Sequence, residues 1–291
     1  MQLFPIGNNL SSQSRVSHSG DNFDAIRLFA ALVVVYGHAF ALTGTAVPAI
    51  FGNYVSTIAV KVFFIISGYL VIDSWRRDPS VFRYLSRRSL RIFPGLLVCT
   101  LLTAFLLGPL LTSLPLSQYF TSPLLSRYLL NIILRPQMLL PGVFEHNTYP
   151  NAVNGSLWTL PIEFGMYLVS PLLVLWGKGE KTRIIFGAVG LCALNLYVTF
   201  AKLHLGGHGR AIADALGVAP YFLLGAAWRI AAPRTVFNPQ VALLLLFLLP
   251  LIPEGPQYEI GLYLVLPYAI LSISLCKPAL LRSVGRFGDF S

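Results

Sequence analysis

Eight stretches of this chain are apolar for long enough to cross a lipid bilayer, and that pattern limits the fold before any single residue does. A crossing helix needs about 20 mostly apolar residues. The sequence predicts spans near 24–43, 54–74, 92–112, 157–176, 184–201, 213–230, 240–253 and 260–276. With no water in the bilayer core, the backbone of each span must satisfy its own hydrogen bonds, which helices do. The predicted fold class is therefore all-α, a polytopic membrane helix bundle of about eight transmembrane helices. Charged residues make up only 11% of the 291, against about 25% in a soluble domain. Residues 1–23 read as a polar cytoplasmic N-terminal tail and 24–291 as a single transmembrane domain, with no internal repeat and no soluble second domain.

The net charge of +10 does not point to nucleic acid, because the basic residues sit between apolar spans. Membrane lipids are the expected surroundings. Fifteen of the 21 Lys and Arg residues fall in the segments that share a side with the N-terminus, and four in the intervening ones. That imbalance puts the N-terminus of this multi-pass chain in the cytoplasm. The N-terminus lacks a cleavable signal pattern. Cys99, Cys192 and Cys276 are far apart and odd in number, so neither a disulfide framework nor a metal site is indicated. The longest outer segment, 113–156, holds five prolines and an apolar patch from Tyr128 to Leu134. The patch is too short to cross and reads as an interfacial or re-entrant helix beside a pocket.

The first span carries an arginine and a histidine, Arg27 and His38. Ionisable groups inside a membrane helix are costly and mark function. Eleven residues make three turns plus about 20°, so both project from one face, about 16 Å apart along the axis. A second candidate is Lys61 in the next span, which either snorkels to the headgroups or faces a pocket and pairs with an acid. Ser67 and Gly68 follow it; close helix packing explains them as well as ligand contact does. Residues 76–91 hold six arginines and one acid, Asp78. Topology explains part of that excess, while Arg87, Arg88 and Arg91 suit the bidentate binding of phosphates on a cytoplasmic donor.

The fourth span opens with Trp158, an ordinary interfacial anchor, and then Glu163. A buried carboxylate needs a partner, and the candidates are His38, Lys61 and Arg135. His204 and His208 are four apart, but Gly206 and Gly207 between them disfavour a helix and no third ligand is evident, so no metal is expected.

Four motifs now stand in order: Arg27 and His38; Phe63-Phe64-Ile-Ile-Ser67-Gly68-Tyr69; Arg88-Ser-Leu-Arg91-Ile-Phe-Pro94; and Trp158-Thr-Leu with Glu163 downstream. Together they resemble the acyltransferase-3 family of bacterial inner-membrane O-acyltransferases, over nearly the whole chain, and the resemblance implies a multi-pass protein of the inner (plasma) membrane. The resemblance implies an O-acetyltransferase that modifies a cell-surface or exported glycan, as in polysaccharide and lipopolysaccharide modification. His38 becomes the catalytic histidine, with Arg27 its essential partner; Arg88 and Arg91 match the family's R-x-x-R pair. The donor is acetyl-CoA (acyl-CoA) from the cytoplasm, with no permanently bound cofactor. Relatives have about ten spans, and Gly285 to Ser291 looks like the start of the motif that leads into the closing helices, so the C-terminal helices are expected to be missing.

The chemistry expected from these residues is acyl transfer to a hydroxyl. Neutral imidazole suits His38 as general base, Arg27 steadies the donor or oxyanion, and Glu163 orients His38 or grips the acceptor. Arg87, Arg88 and Arg91 hold the donor, while Lys61, Ser67 and Trp158 contact the acceptor. The competing class is a multispan transporter or lipid-binding membrane protein with Arg27, His38 and Glu163 as a relay; a third is an inactive truncated acyltransferase.

Overall fold

A computed structural model describes residues 22–174, 179–201, 207–231, 233 and 236–276. Helix dominates. In chain order the helices are α1 (Phe23–Thr43), α2 (Val55–Arg77), α3 (Val81–Leu102), α4 (Gly108–Leu111), α5 (Leu116–Thr121), α6 (Pro123–Tyr128), α7 (Leu160–Val174), α8 (Glu180–Phe200), α9 (Gly207–Ala231), α10 (Pro239–Leu248) and α11 (Pro256–Leu275). A π turn, Thr103–Leu107, joins α3 to α4, so Val81–Leu111 runs on as one 31-residue apolar rod. Seven helices among the described residues are long and apolar enough to cross a membrane. The predicted span at 240–253 is the shorter apolar helix Pro239–Leu251, broken by Pro250 and too short to cross unaided.

The centre of the bundle is α2 and α9, joined by α11; more than half of each is buried. The outer helices present large apolar side chains instead, among them Phe29, Leu32, Leu97, Leu101, Phe186 and Val189. Such a surface suits lipid rather than water. The cross-section is thus a close-packed middle with α1, α3 and α8 around it.

The bundle has two chemically distinct ends. At one, α2 finishes on Arg76 and Arg77 and α3 starts three residues after Asp78. We call this the arginine end. Arg76 pairs with Glu180 at 2.9 Å and Arg229 with Asp73 at 2.7 Å, tying α2 to α8 and α9. The Asn22 amide donates to the Ser274 carbonyl at 2.7 Å, fastening the start of α1 to the end of α11.

At the other, the loop end, a two-residue ribbon pairs Ala49–Ile50 with Asn53–Tyr54. Phe51 and Gly52 between them both have positive φ, at 53° and 65°, which matches the tight turn that favours a right-twisted hairpin. Residues 112–159 fold over this end. The patch Tyr128–Leu134 is helical but short: α6 ends at Tyr128 and passes directly into a 3-10 turn, Leu129–Ile133, closed by Leu134 in the left-handed region. The predicted third span at 92–112 also begins too late, since the arginine-rich segment 76–91 before it is helical as well, all but residues 78–80. Arginine is among the better helix formers.

Candidate active site

Arg27, Ala31, Val34, Val35 and His38 form one stripe along α1, and the stripe lines a cavity of about 520 Å³. The spacing i, i+4, i+7, i+8, i+11 is that of a single helix face. Arg91, Gly95 and Cys99 of α3 face it across the gap, again four residues apart. Val60, Phe63 and Phe64 of α2 form the apolar back wall with Ile92 and Leu96 of α3, and Ser156 to Leu160 with Glu163 complete the lining. Arg27 and Arg91 lie toward the arginine end, and His38, Ser156 and Trp158 toward the loop end, so the cavity runs along the bundle.

Burial differs from the sequence expectation for one of the two residues on α1. Arg27 is 6% exposed, whereas His38 is exposed on the helix surface while still lining the cavity. The reason is position: α1 is an outer helix, and His38 stands on the side that faces the open cavity, while its neighbour Gly37 packs on Ser56 of α2.

Glu163 stands in the first turn of α7. Its Oε1 accepts a hydrogen bond from the hydroxyl of Tyr167, one turn on. The Arg88 guanidinium lies 5.2 Å over the Tyr167 ring and 5.7 Å from that of Tyr84. Within the R-x-x-R pair the roles therefore split. Arg91 reaches the cavity directly, and Arg88 braces the tyrosine that holds the carboxylate. Of the three partners expected for Glu163, His38 shares its cavity. Lys61 sits in a different pocket, and Arg135 is exposed and lines neither. Sequence reasoning misses Tyr167, although its i, i+4 spacing from Glu163 on a helix is a readable signal.

Arg87 is turned away from the cavity. It is exposed and its Nη1 donates to Asp78 at 2.9 Å, beside Arg83, which reaches the same carboxylate at 2.6 Å. Those bonds, the one from Arg83 foremost, hold the Asp78 carboxyl well below the usual carboxylate range. Ser67 is 8% exposed and lines neither the His38 cavity nor the Lys61 pocket; its neighbour Gly68 packs on the Phe222 backbone of α9. Lys61 is 4% exposed, and its Nζ donates to Asn53 Oδ1 at 2.8 Å. It does not snorkel: it faces a pocket that Asp214 and Glu259 also line, and its hydrogen bond goes to an amide because the turn at Phe51–Gly52 brings Asn53 within reach.

Trp158 is more than an anchor, since it lines both the His38 cavity and the Lys61 pocket. It rides on the 3-10 turn Gly155–Thr159. Asn154 fixes that turn: its Nδ2 donates to the Tyr128 hydroxyl at 2.7 Å and to Thr103 Oγ1 at 3.1 Å. His204 lies outside the described residues, and α9 already begins at Gly207, so Gly207 does not prevent a helix there. Among the described residues no group of three or more His, Cys, Asp or Glu could hold a metal ion, and the cysteines are free.

The sequence profile of a family described as an acyltransferase domain matches residues 21–284. The chain belongs to the acyltransferase-3 family. It is thus a multi-pass membrane acyltransferase. Among curated relatives, an "O-acetyl transferase" of Shigella phage Sf6 is 28% identical over 267 residues, covering 88% of this chain and 77% of the phage protein. "Nodulation protein 10" of Rhizobium leguminosarum bv. viciae is 32% identical over 202 residues, covering 64% of this chain and 53% of its own length. No solved structure matches significantly.

Proposed function

We propose that this acyltransferase moves an acetyl group from acetyl-CoA, entering from the arginine end, to a hydroxyl of a cell-surface or exported glycan at the loop end. In this reading the protein lies in the inner membrane with its N-terminus in the cytoplasm, and the arginine end faces the cytoplasm. The observation that carries it is one cavity lined by Arg27, His38, Arg91 and Glu163, elongated between the two ends. The excess of Lys and Arg on one side of the spans supports the orientation, and the printed name of the phage relative supports acetyl as the group moved.

The His38 imidazole takes the proton of the acceptor hydroxyl as the oxygen attacks the thioester carbonyl. A C–O bond forms, and the C–S bond breaks when the tetrahedral oxyanion collapses. The thiolate of CoA leaves and takes the proton back from the imidazolium. Arg27, a planar, permanently charged group three turns down the same helix face, steadies the acyl donor toward the arginine end. Arg91 receives the donor's phosphates, and Glu163, held by Tyr167, positions the acceptor or His38.

His38→Ala tests the base. With labelled acetyl-CoA and a glycan acceptor, transfer should fall by about 10²–10⁴-fold while the unfolding temperature holds, since His38 is exposed on an outer helix. Transfer at the wild-type rate would remove His38 from the mechanism.

A further inference from the structure

Acyl transfer in the His38 cavity leaves one buried cation unused. Lys61 points away from that cavity into a separate pocket of about 280 Å³ at the loop end. Its Nζ lies 4.9 Å over the Tyr221 ring as well as on Asn53. Thr57, Asn195, Thr199, Asp214 and Glu259 line the same pocket. Lys61 is buried, Asn53, Thr57, Asn195 and Glu259 are half-buried, and Asp214 and Thr199 stand exposed at the mouth, so the pocket grades from a buried ammonium to polar groups that face water.

The chemistry of the lining narrows the ligand. Two carboxylates beside one ammonium repel an anion such as phosphate. The ammonium at 4% exposure repels a metal ion. What remains is a neutral molecule that offers hydroxyls in several directions, accepting from Lys61 and the amides and donating to Glu259 and Asp214. Trp158 adds a flat apolar wall. The volume sits at the small end of ligand pockets, enough for one sugar ring and not for a chain.

Position supplies the second half of the inference. Val60 lines the His38 cavity and its neighbour Lys61 lines the polar pocket. Consecutive residues on a helix point about 100° apart, so the two spaces lie on adjacent faces of α2. Trp158 borders both. We infer that the Lys61 pocket holds the neutral sugar unit next to the one acylated at His38, so that the enzyme reads its acceptor as two linked sugars across Trp158. This rests on the proposed glycan acceptor and adds to it a second subsite with its own specificity.

The test uses the full chain in lipid nanodiscs, labelled acetyl-CoA, and methyl glycosides of neutral hexoses as single sugars and as matching disaccharides. The wild-type enzyme should favour the disaccharides by about tenfold in kcat/KM, the worth of one or two hydrogen bonds. Lys61→Met and, separately, Glu259→Gln should bring that ratio below about twofold, mainly through a higher KM for the disaccharide. Glu259 is only half-buried, so its substitution keeps the test open if Lys61→Met fails to fold. Equal use of both acceptors by the wild type, or a preference that survives the substitutions, overturns the second subsite and leaves the glycan reading standing. A loss shared in proportion by both acceptors marks the pocket as structural and overturns it too. Acetylation of no sugar at all would overturn the glycan reading, and the subsite with it.

Discussion

A side chain built on Gly68 of α2 would place its Cβ 1.9 Å from the carbonyl oxygen of Phe222, and one on Gly225 of α9 would sit 2.1 Å from that of Ile65. At Gly95, on the cavity wall of α3, the same Cβ meets nothing within 4 Å. The α2–α9 seam and the His38 cavity are therefore opposite constructions within a single bundle. In lipid, helices gain nothing from hiding apolar surface, and association depends on how closely backbones approach. The seam meets that need with reciprocal glycines. The cavity does the reverse: it holds α1, α3 and α7 apart and keeps polar groups facing a space. Stability is concentrated where the helices touch, and chemistry where they do not.

Gly68→Ala strikes the seam hardest. Backbone atoms cannot swing aside as a side-chain tip does, so the two helices must separate. Overpacking costs about 1–3 kcal/mol, and more where backbone must move. The expected result is a large drop in unfolding temperature and in folded yield, with activity lost in proportion. Gly95→Ala is the control. It gains helix propensity of up to about 1 kcal/mol and should unfold no lower than the wild type. Equal behaviour of the two variants would mean that the seam is no tighter than the wall.

Tyr167→Phe comes next. Tyr167 is 1% exposed, and its hydroxyl is the hydrogen-bond donor to Glu163. Removing the hydroxyl leaves a carboxylate at a cavity wall one donor short, a loss of about 1–3 kcal/mol. The ring under Arg88 remains. If Glu163 acts on the acceptor or on His38, kcat should fall about tenfold while the KM for acetyl-CoA holds. A change confined to the donor's KM would detach Glu163 from both the acceptor and His38.

How far these features can be read from sequence depends on how local they are. The face shared by Arg27 and His38 follows from helical spacing alone, and the cavity runs along that stripe. Tyr167 under Glu163 is equally local. The partner of Lys61 is not, because Asn53 reaches it only through the reversal at Phe51–Gly52. Spacing also yields the class of the long helices, but not where α3 begins. Apolar character marks the part of a helix inside lipid, while the arginine-bearing turns before it are as helical and carry no such mark. The split between Arg88 and Arg91 is hidden for another reason: which of two arginines three apart meets a cavity depends on where α7 stands, and no local pattern records that.

The smallest effect is expected at Asp78, where the arginine end meets solvent. Its carboxylate accepts from Arg83 and Arg87 and is held well below its usual range by those bonds. A depressed carboxyl stabilises the fold at pH values above its unfolded pKa, near 3.9. That support fades as the pH falls below that value toward the folded pKa. Exposed pairs of this kind contribute little, so Asp78→Asn should leave the unfolding temperature within about 1 °C of the wild type at neutral pH. The donor's KM carries the information. If Arg87 serves the phosphates of acetyl-CoA, as its place in the sequence implies, it must first leave Asp78. Removing that competing charge should lower the KM for acetyl-CoA by about two- to threefold, more at low salt than at high salt. An unchanged KM at both ionic strengths would assign Arg87 to the turn between α2 and α3 and leave the donor to Arg91.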